Sequence, residues 1–232
     1  MMDTARQAIF ERIRSAHALK PAADGNDSGT RHDAIPRGYR RSGSLHHPEC
    51  VDLFAHRLKE YEAGVYYAAT ENIAIAVKEI LIARDKQNIV VSAGLPAAWL
   101  PEGFAFTIGD ELTANDLDRF DGVLTGSTVA IALTGSIVLQ GVAGQGTRRL
   151  SLIPDYHLCV VFAEQIVETV PEAFDRLAST ATLPTTFISG PSATADIEMT
   201  RIKGVHGPRF LDVLIVGDKN GICGREELRS SP

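Results

Sequence analysis

The sequence predicts an α/β domain built as three layers, a sheet covered by helices on both faces, and three observations carry that prediction. Apolar runs such as Ile89–Val91, Val129–Leu133 and Asp212–Val216 are short and nearly uniformly apolar, as strands buried on both faces require. Segments with helical spacing lie between many of these runs, which implies parallel crossovers. From Gly122 to Leu139, three runs follow one another, punctuated by Gly and Thr, the pattern of neighbouring strands without an intervening helix.

In chain order, residues 4–19 read as an amphipathic helix. Ile9, Ile13 and Ala16 share a face with Phe10 beside them, while Arg6, Glu11, Arg12 and Arg14 point elsewhere. Such a face serves either to pack on the rest of the domain or to hold a partner. Residues 21–48 carry Gly and Pro with few large apolar side chains, so they predict an irregular arm. Its Arg31, Arg37, Arg40 and Arg41 with Tyr39 suit a solvated linker, or an arm that folds over an anionic ligand. Val51, Phe54, Leu58 and Tyr61 fall at helical spacing, Val65–Ala68 reads as a strand, and Ile73–Arg84 as a second helix. Ile89–Val91 is a buried strand, and Leu95–Phe106 a loop holding the single tryptophan, Trp99. Strands at 122–125, 129–133, 136–139 and 157–163 follow, then a helix over 170–178 and strands over 185–189 and 212–216. The organisation is a helix and arm over 1–48, then one α/β domain over 49–232.

A chain of 232 residues buries a substantial core without a metal or disulfide staple. Its 23 basic against 29 acidic residues leave a net charge of −6, which argues against nucleic-acid binding through a broad basic surface. The three cysteines, Cys50, Cys159 and Cys223, are far apart and none forms a Cys-x-x-Cys pair. Zinc and iron–sulfur sites draw thiolates from close-spaced sets, so no such cofactor is expected from this chain alone. Sparse, odd cysteines also fit a reducing compartment. Charges interrupt the first residues too early for a signal peptide, and no apolar run would span a bilayer, so a cytoplasmic protein is expected. His46-His47 with Glu49 and Cys50 is a poor metal set, because adjacent side chains diverge.

Ligands of open α/β sheets bind at the carboxyl ends of strands, and three segments are candidates for such places. Thr134-Gly135-Ser136 joins two apolar runs, and its hydroxyls can donate to an anion or simply close a turn. Gly141–Arg149 sets glycines before Arg148 and Arg149, as in an anion cradle or a flexible hairpin loop. It is neither the dinucleotide fingerprint nor a P-loop, and no helix clearly follows it. The third segment, Ser189–Glu198, follows a strand and is expected to open a short helix, with Ser192 or Thr194 as N-cap. Asp196 there, and His206 in the Gly204–Arg209 loop, could share acid–base work. A capped helix and a surface turn account for the same residues. No Gly-x-Ser-x-Gly elbow or His-Glu-x-x-His set occurs.

Gly190-Pro191-Ser192-Ala193-Thr194-Ala195-Asp196-Ile197-Glu198, followed by Gly204-Val205-His206-Gly207-Pro208, resembles the C-terminal signature of the lactate-utilization protein C (LUD domain) family. Thr134–Leu139, the Gly/Arg stretch through Arg149, and Pro154-Asp155-Tyr156-His157 resemble that family's central block in the same order. The resemblance implies a fold like that of the ribose-phosphate isomerase, glucosamine-phosphate deaminase and CoA-transferase group. It also implies a role in oxidising L-lactate to pyruvate beside iron–sulfur partner proteins that supply the clusters. The ligand-binding residues it suggests are Thr134, Gly135, Ser136, Arg148, Arg149, Gly190, Pro191, Ser192, Thr194, Asp196, His206, Gly207 and Arg209. One departure is Leu133, where related sequences often carry Glu. The expectation is a non-redox component that binds a small carboxylate or other anion. A free-standing enzyme on a phosphorylated sugar or CoA thioester, using Asp196 and His206, is the alternative, and a purely structural protein the third.

Overall fold

The computed structural model describes residues 2–18, 35, 38–194, 202–204 and 206–217. The chain divides into two compact units, Met1–Arg40 and Arg41–Pro232. In the first, helix α1 (Met2–Ala18) leaves Ile9, Phe10 and Ile13 exposed, with the Arg6 guanidinium 5.7 Å from the Phe10 ring centre.

The second unit opens with α2 (His47–Glu60), started by Pro48 and by Glu49, whose carboxylate accepts the His46 N–H at 2.8 Å. In chain order come β1 (Gly64–Ala68), α3 (Ile73–Ala83), β2 (Asn88–Val91), β3 (Ala105–Ile108), α4 (Ala114–Leu117), β4 (Gly122–Thr125), β5 (Val129–Ile131) and β6 (Ser136–Gln140). Then follow α5 (Arg148–Leu152), β7 (Tyr156–Phe162), β8 (Ile166–Val167), α6 (Val170–Leu177), β9 (Thr185–Ser189), β10 (Ala193–Thr194), β11 (Ile202–Lys203) and β12 (Phe210–Val216).

Six strands form a parallel sheet in the order β1-β12-β7-β4-β2-β3. A second, mixed sheet has the order β8-β5-β6-β9. The expected α/β class is therefore met, with one refinement. The runs at 129–140 pair with each other but not with β4, because the chain leaves the main sheet after Thr125 and folds back as an antiparallel hairpin. Two further elements depart from expectation. The stretch to Phe106 is not all loop, since β3 begins at Ala105, and a short helix, α5, does follow the glycine-rich loop.

Alternation along the strands assigns each face. Leu158, Val160, Leu214, Val216, Ile89, Val91 and Leu124 point to α3, meeting Ile73, Val77, Ile80 and Leu81. Cys159, Val161, Leu211, Val213 and Ile215 point the other way, to Phe54 and Leu58 of α2 and Ala130, Ile137 and Leu139 of the second sheet. Val90 and Val123 meet Leu117 of α4 and Leu150 of α5 on that same face. The second sheet's outer face is covered by Ala173 and Leu177 of α6.

Two polar clusters hold this frame. Asp212, wholly buried at the start of β12, accepts Arg84 Nε at 2.7 Å and the Tyr156 hydroxyl at 2.9 Å, and pairs with Arg84 Nη2 at 2.6 Å. That hydrogen bonding holds the Arg84 guanidinium charged. Elsewhere, Glu168, buried just after β8, accepts the backbone N–H of Ser44 and Leu45 at 2.6 and 2.7 Å, and Glu172 accepts that of Gly43 at 2.8 Å. The last part of the predicted arm is thus strapped to the second sheet. Arg31 and Arg37 lie outside the described residues.

Candidate functional site

The chain leaves β2 toward β3 at the sheet edge, but leaves β4 through the second sheet toward β7. The two departures run in opposite directions, which opens a crevice at the carboxyl ends of β2 and β4, the usual ligand position in such sheets. The loop Gly141–Thr147 sits there. Gly126 N–H donates to Gly144 O and Gly144 N–H to Ala93 O, each at 2.9 Å, so the loop bridges the two strand ends. Gln145 pins it from beneath, its Oε1 accepting the Thr128 hydroxyl at 2.9 Å and the Gln140 N–H at 2.8 Å. Asp110, after β3, accepts Ser92 Oγ at 3.1 Å and the Ala93 N–H at 2.7 Å. The N–H groups of Gln145 and Gly146 both donate to Val142 O at 3.1 Å. The backbone donors of these glycines are therefore committed within the protein, which leaves the exposed side chains of Arg148 and Arg149 as the donors that an anion at this rim would meet. Arg149 Nη2 also donates to Asp110 O at 3.2 Å.

The other two predicted segments lie elsewhere, at the amino ends of the parallel strands. Ser136 pairs with Ser189 in register, their hydroxyls 2.6 Å apart, and Thr134 Oγ1 donates to Ser136 Oγ at 2.8 Å. Gly135 turns with φ +59° and a Cβ there would stand 2.7 Å from Arg57 Cβ; Gly190, at φ +79°, packs equally closely on Tyr61. Both turns thus dock on the last turn of α2, which leads into the start of β1. Pro191 continues this loop, half-buried. Ser192 organises the rest: its N–H donates to Pro208 O at 2.8 Å, its O accepts the Gly204 N–H at 3.0 Å, and its Oγ accepts the His206 N–H at 2.9 Å. Gly207 lies against Ser192, and Arg209 Nε reaches Asp155 Oδ1 at 2.6 Å just before β7. Thr194 does not begin a helix: β10 pairs antiparallel with β11, so the expected N-cap is a strand. Asp196 lies outside the described residues, and with it the proposed pairing to His206. The expectation that all three segments sit at carboxyl ends therefore holds for Gly141–Arg149 alone; the hairpin of β5 and β6 runs the full depth of the sheet and carries Thr134–Ser136 to its far end.

A third group gathers on His157, which the sequence marked only as the last residue of the Pro154–His157 block and without a role. His157, on β7, is 1% exposed, and its Nε2 lies 2.8 Å from the hydroxyl of Thr125, the last residue of β4 at the crevice floor. Thr125 Oγ1 also lies 3.6 Å from Cys159 Sγ. Burial first, and the Arg148 charge second, hold the imidazole down to about 4; burial pushes the Cys159 thiol up to about 12. Beyond that block, the sequence signal was a histidine set inside an otherwise apolar strand.

Fold and crevice together define a two-sheet α/β protein whose switch point is bridged by a glycine-rich loop and bordered by two arginines. The chain belongs to the LUD domain family, which it matches over residues 51–216. It is similar to the lactate utilization protein C of Deinococcus radiodurans, with 42% identity over 82% of this chain and 90% of that protein. The lactate utilization protein C of Bacillus subtilis is 27% identical over 73% of this chain and 76% of its own length. Among solved structures, a DUF162 family protein from D. radiodurans is similar at a TM-score of 0.66 and 38% identity, over 75% of this chain and 100% of that one. Among the described residues no helix is long and apolar enough to cross a membrane.

Proposed function

We propose that this protein is a non-redox component of a lactate-utilization system, oxidising L-lactate to pyruvate together with iron–sulfur partner proteins, and that its own task is to bind a small carboxylate at the switch-point crevice. The observation that carries this reading is the 42% identity running across 90% of a lactate utilization protein C. The chemistry of the chain supports it. Arg148 and Arg149 flank the crevice and offer paired donors suited to a carboxylate. Cys159 is buried and holds its proton, which makes it a poor thiolate ligand for a cluster, so the redox centres are assigned to partners. Deletion of the gene in its native host should abolish growth on L-lactate and leave growth on pyruvate intact, with rescue by the wild-type gene. Anaerobic pull-down from lactate-grown cells should recover brown, cluster-bearing proteins with it. Normal lactate growth of a deletion strain that carries no duplicate gene would refute the proposal.

A further inference from the structure

β9 is an open edge. It closes the second sheet against β6, and among the described residues no strand lies on its other side. A free edge recruits further strands unless charge, proline or a covering segment blocks it, and β9, Thr-Thr-Phe-Ile-Ser, holds neither charge nor proline. Phe187 stands opposite Val138, so it shares the sheet's outer face with the side chains that α6 covers. Yet Phe187 is 44% exposed, and its ring packs 5.8 Å from that of Phe174 on α6, itself 56% exposed.

The lack of charge extends beyond the strand. From Leu177 to Ala195 there is no Asp, Glu, Lys or Arg, whereas a chain with 22% charged residues would place about four in those 19 positions. Most of the run, from Ala178 to Ser189, is exposed or half-buried. Aromatic side chains on a surface depleted of charge are the composition of an interface core.

The strand itself selects the occupant. Read antiparallel about Phe187, its sequence complements itself: Thr185 would face Ser189 of a second copy, Thr186 would face Ile188, and Phe187 would face Phe187. Residues directly opposite one another share a face, so the two Phe187 rings would meet on a two-fold axis with a Phe174 beside each. Copies of a chain with net charge −6 repel one another, and an uncharged contact is where that repulsion is weakest. An unlike partner would find no charge here to steer it. The edge strand of the main sheet makes the contrast. β3 is preceded by Glu102 and followed by Asp110-Glu111, so antiparallel self-pairing there would set acidic side chains against acidic ones.

We propose that β9 pairs antiparallel with β9 of a second copy of this chain, joining the two four-stranded sheets into one across an axis at Phe187. The pairing is independent of what the crevice binds.

The test is sedimentation of the full chain over a concentration series. Wild type should rise from 25.0 kDa toward twice that mass. Phe187→Lys sets a charge against its own copy on the axis and should weaken the dimer about tenfold or more. Phe174→Lys, on a separate element, should weaken it as well and answers the question if the β9 variant fails to fold, as read by circular dichroism. Ile108→Lys, on the exposed β3, should leave the dimer unchanged. A mass of 25.0 kDa at every concentration would overturn the proposal and leave the edge to an unlike protein or to none. A dimer left intact by both phenylalanine variants, or broken by Ile108→Lys, would overturn it equally.

Discussion

Acidification from pH 7 to pH 4.5 crosses the range in which the buried histidine separates the native from the unfolded state. His157 is held down to about 4 in the folded protein, against 6.5 for an ordinary histidine. Between those values the unfolded chain binds a proton that the native state refuses, so stability rises with pH across this window and is lost as pH falls through it. The ceiling is 2.5 pH units, or about 3 kcal/mol at about 1.36 kcal/mol per unit. Evaluating the linkage between pH 7 and pH 4.5 gives a loss of about 2 kcal/mol from this one side chain. The carboxylates titrate over the same range, so wild type must be compared with His157→Gln. Urea unfolding at the two pH values should show wild type losing about 2 kcal/mol more than the variant. Equal losses would mean that the imidazole titrates normally in the folded state and is not buried as described.

Three further expectations follow from named contacts. Asp212→Ala leaves Arg84 without its ion pair and the Tyr156 hydroxyl without its acceptor, and should cost about 3–5 kcal/mol in urea unfolding; a loss below about 1 kcal/mol would contradict the pairing. Cys159 should resist iodoacetamide at pH 8 in the native protein and react only on unfolding, read by peptide mass spectrometry, since burial keeps the thiol protonated. Glu168→Ala removes two charge-assisted bonds to the Ser44 and Leu45 N–H groups, so tryptic cleavage after Arg40 or Arg41 should speed up about tenfold or more; an unchanged rate would show that the strap is held elsewhere.

What the sequence made legible was whatever is local. The bounds of β9 coincide with the expected 185–189, and α3 with its expected helix to within a residue, because apolar period and turn residues sit in the same short window. β3 escaped because its side chains are largely exposed, leaving no buried run to read. The division of the candidate segments between two ends of the sheet was not legible, because it depends on which strand lies next to which. Ser136 meets Ser189 and His157 meets Thr125 only through pairings many residues apart. Sequence motifs such as Gly190–Ser192 and Gly204–Arg209 did mark residues that touch one another, through Ser192.

The strand order has a consequence for how the molecule is made. Among the described residues β1 has a single neighbour in the parallel sheet, and that neighbour is β12, with Gly64 opposite Asp212. On the ribosome, therefore, β1 must wait for 148 further residues before its partner exists (212 minus 64). At about 5–20 residues per second the interval is roughly 7–30 s, during which Val65, Tyr66 and Tyr67 have no sheet to join. The main sheet is completed only after synthesis passes Val216, so a nascent chain of this protein presents a long-lived sticky segment to chaperones, and nonsense mutations anywhere upstream of Phe210 leave that segment permanently without its partner strand.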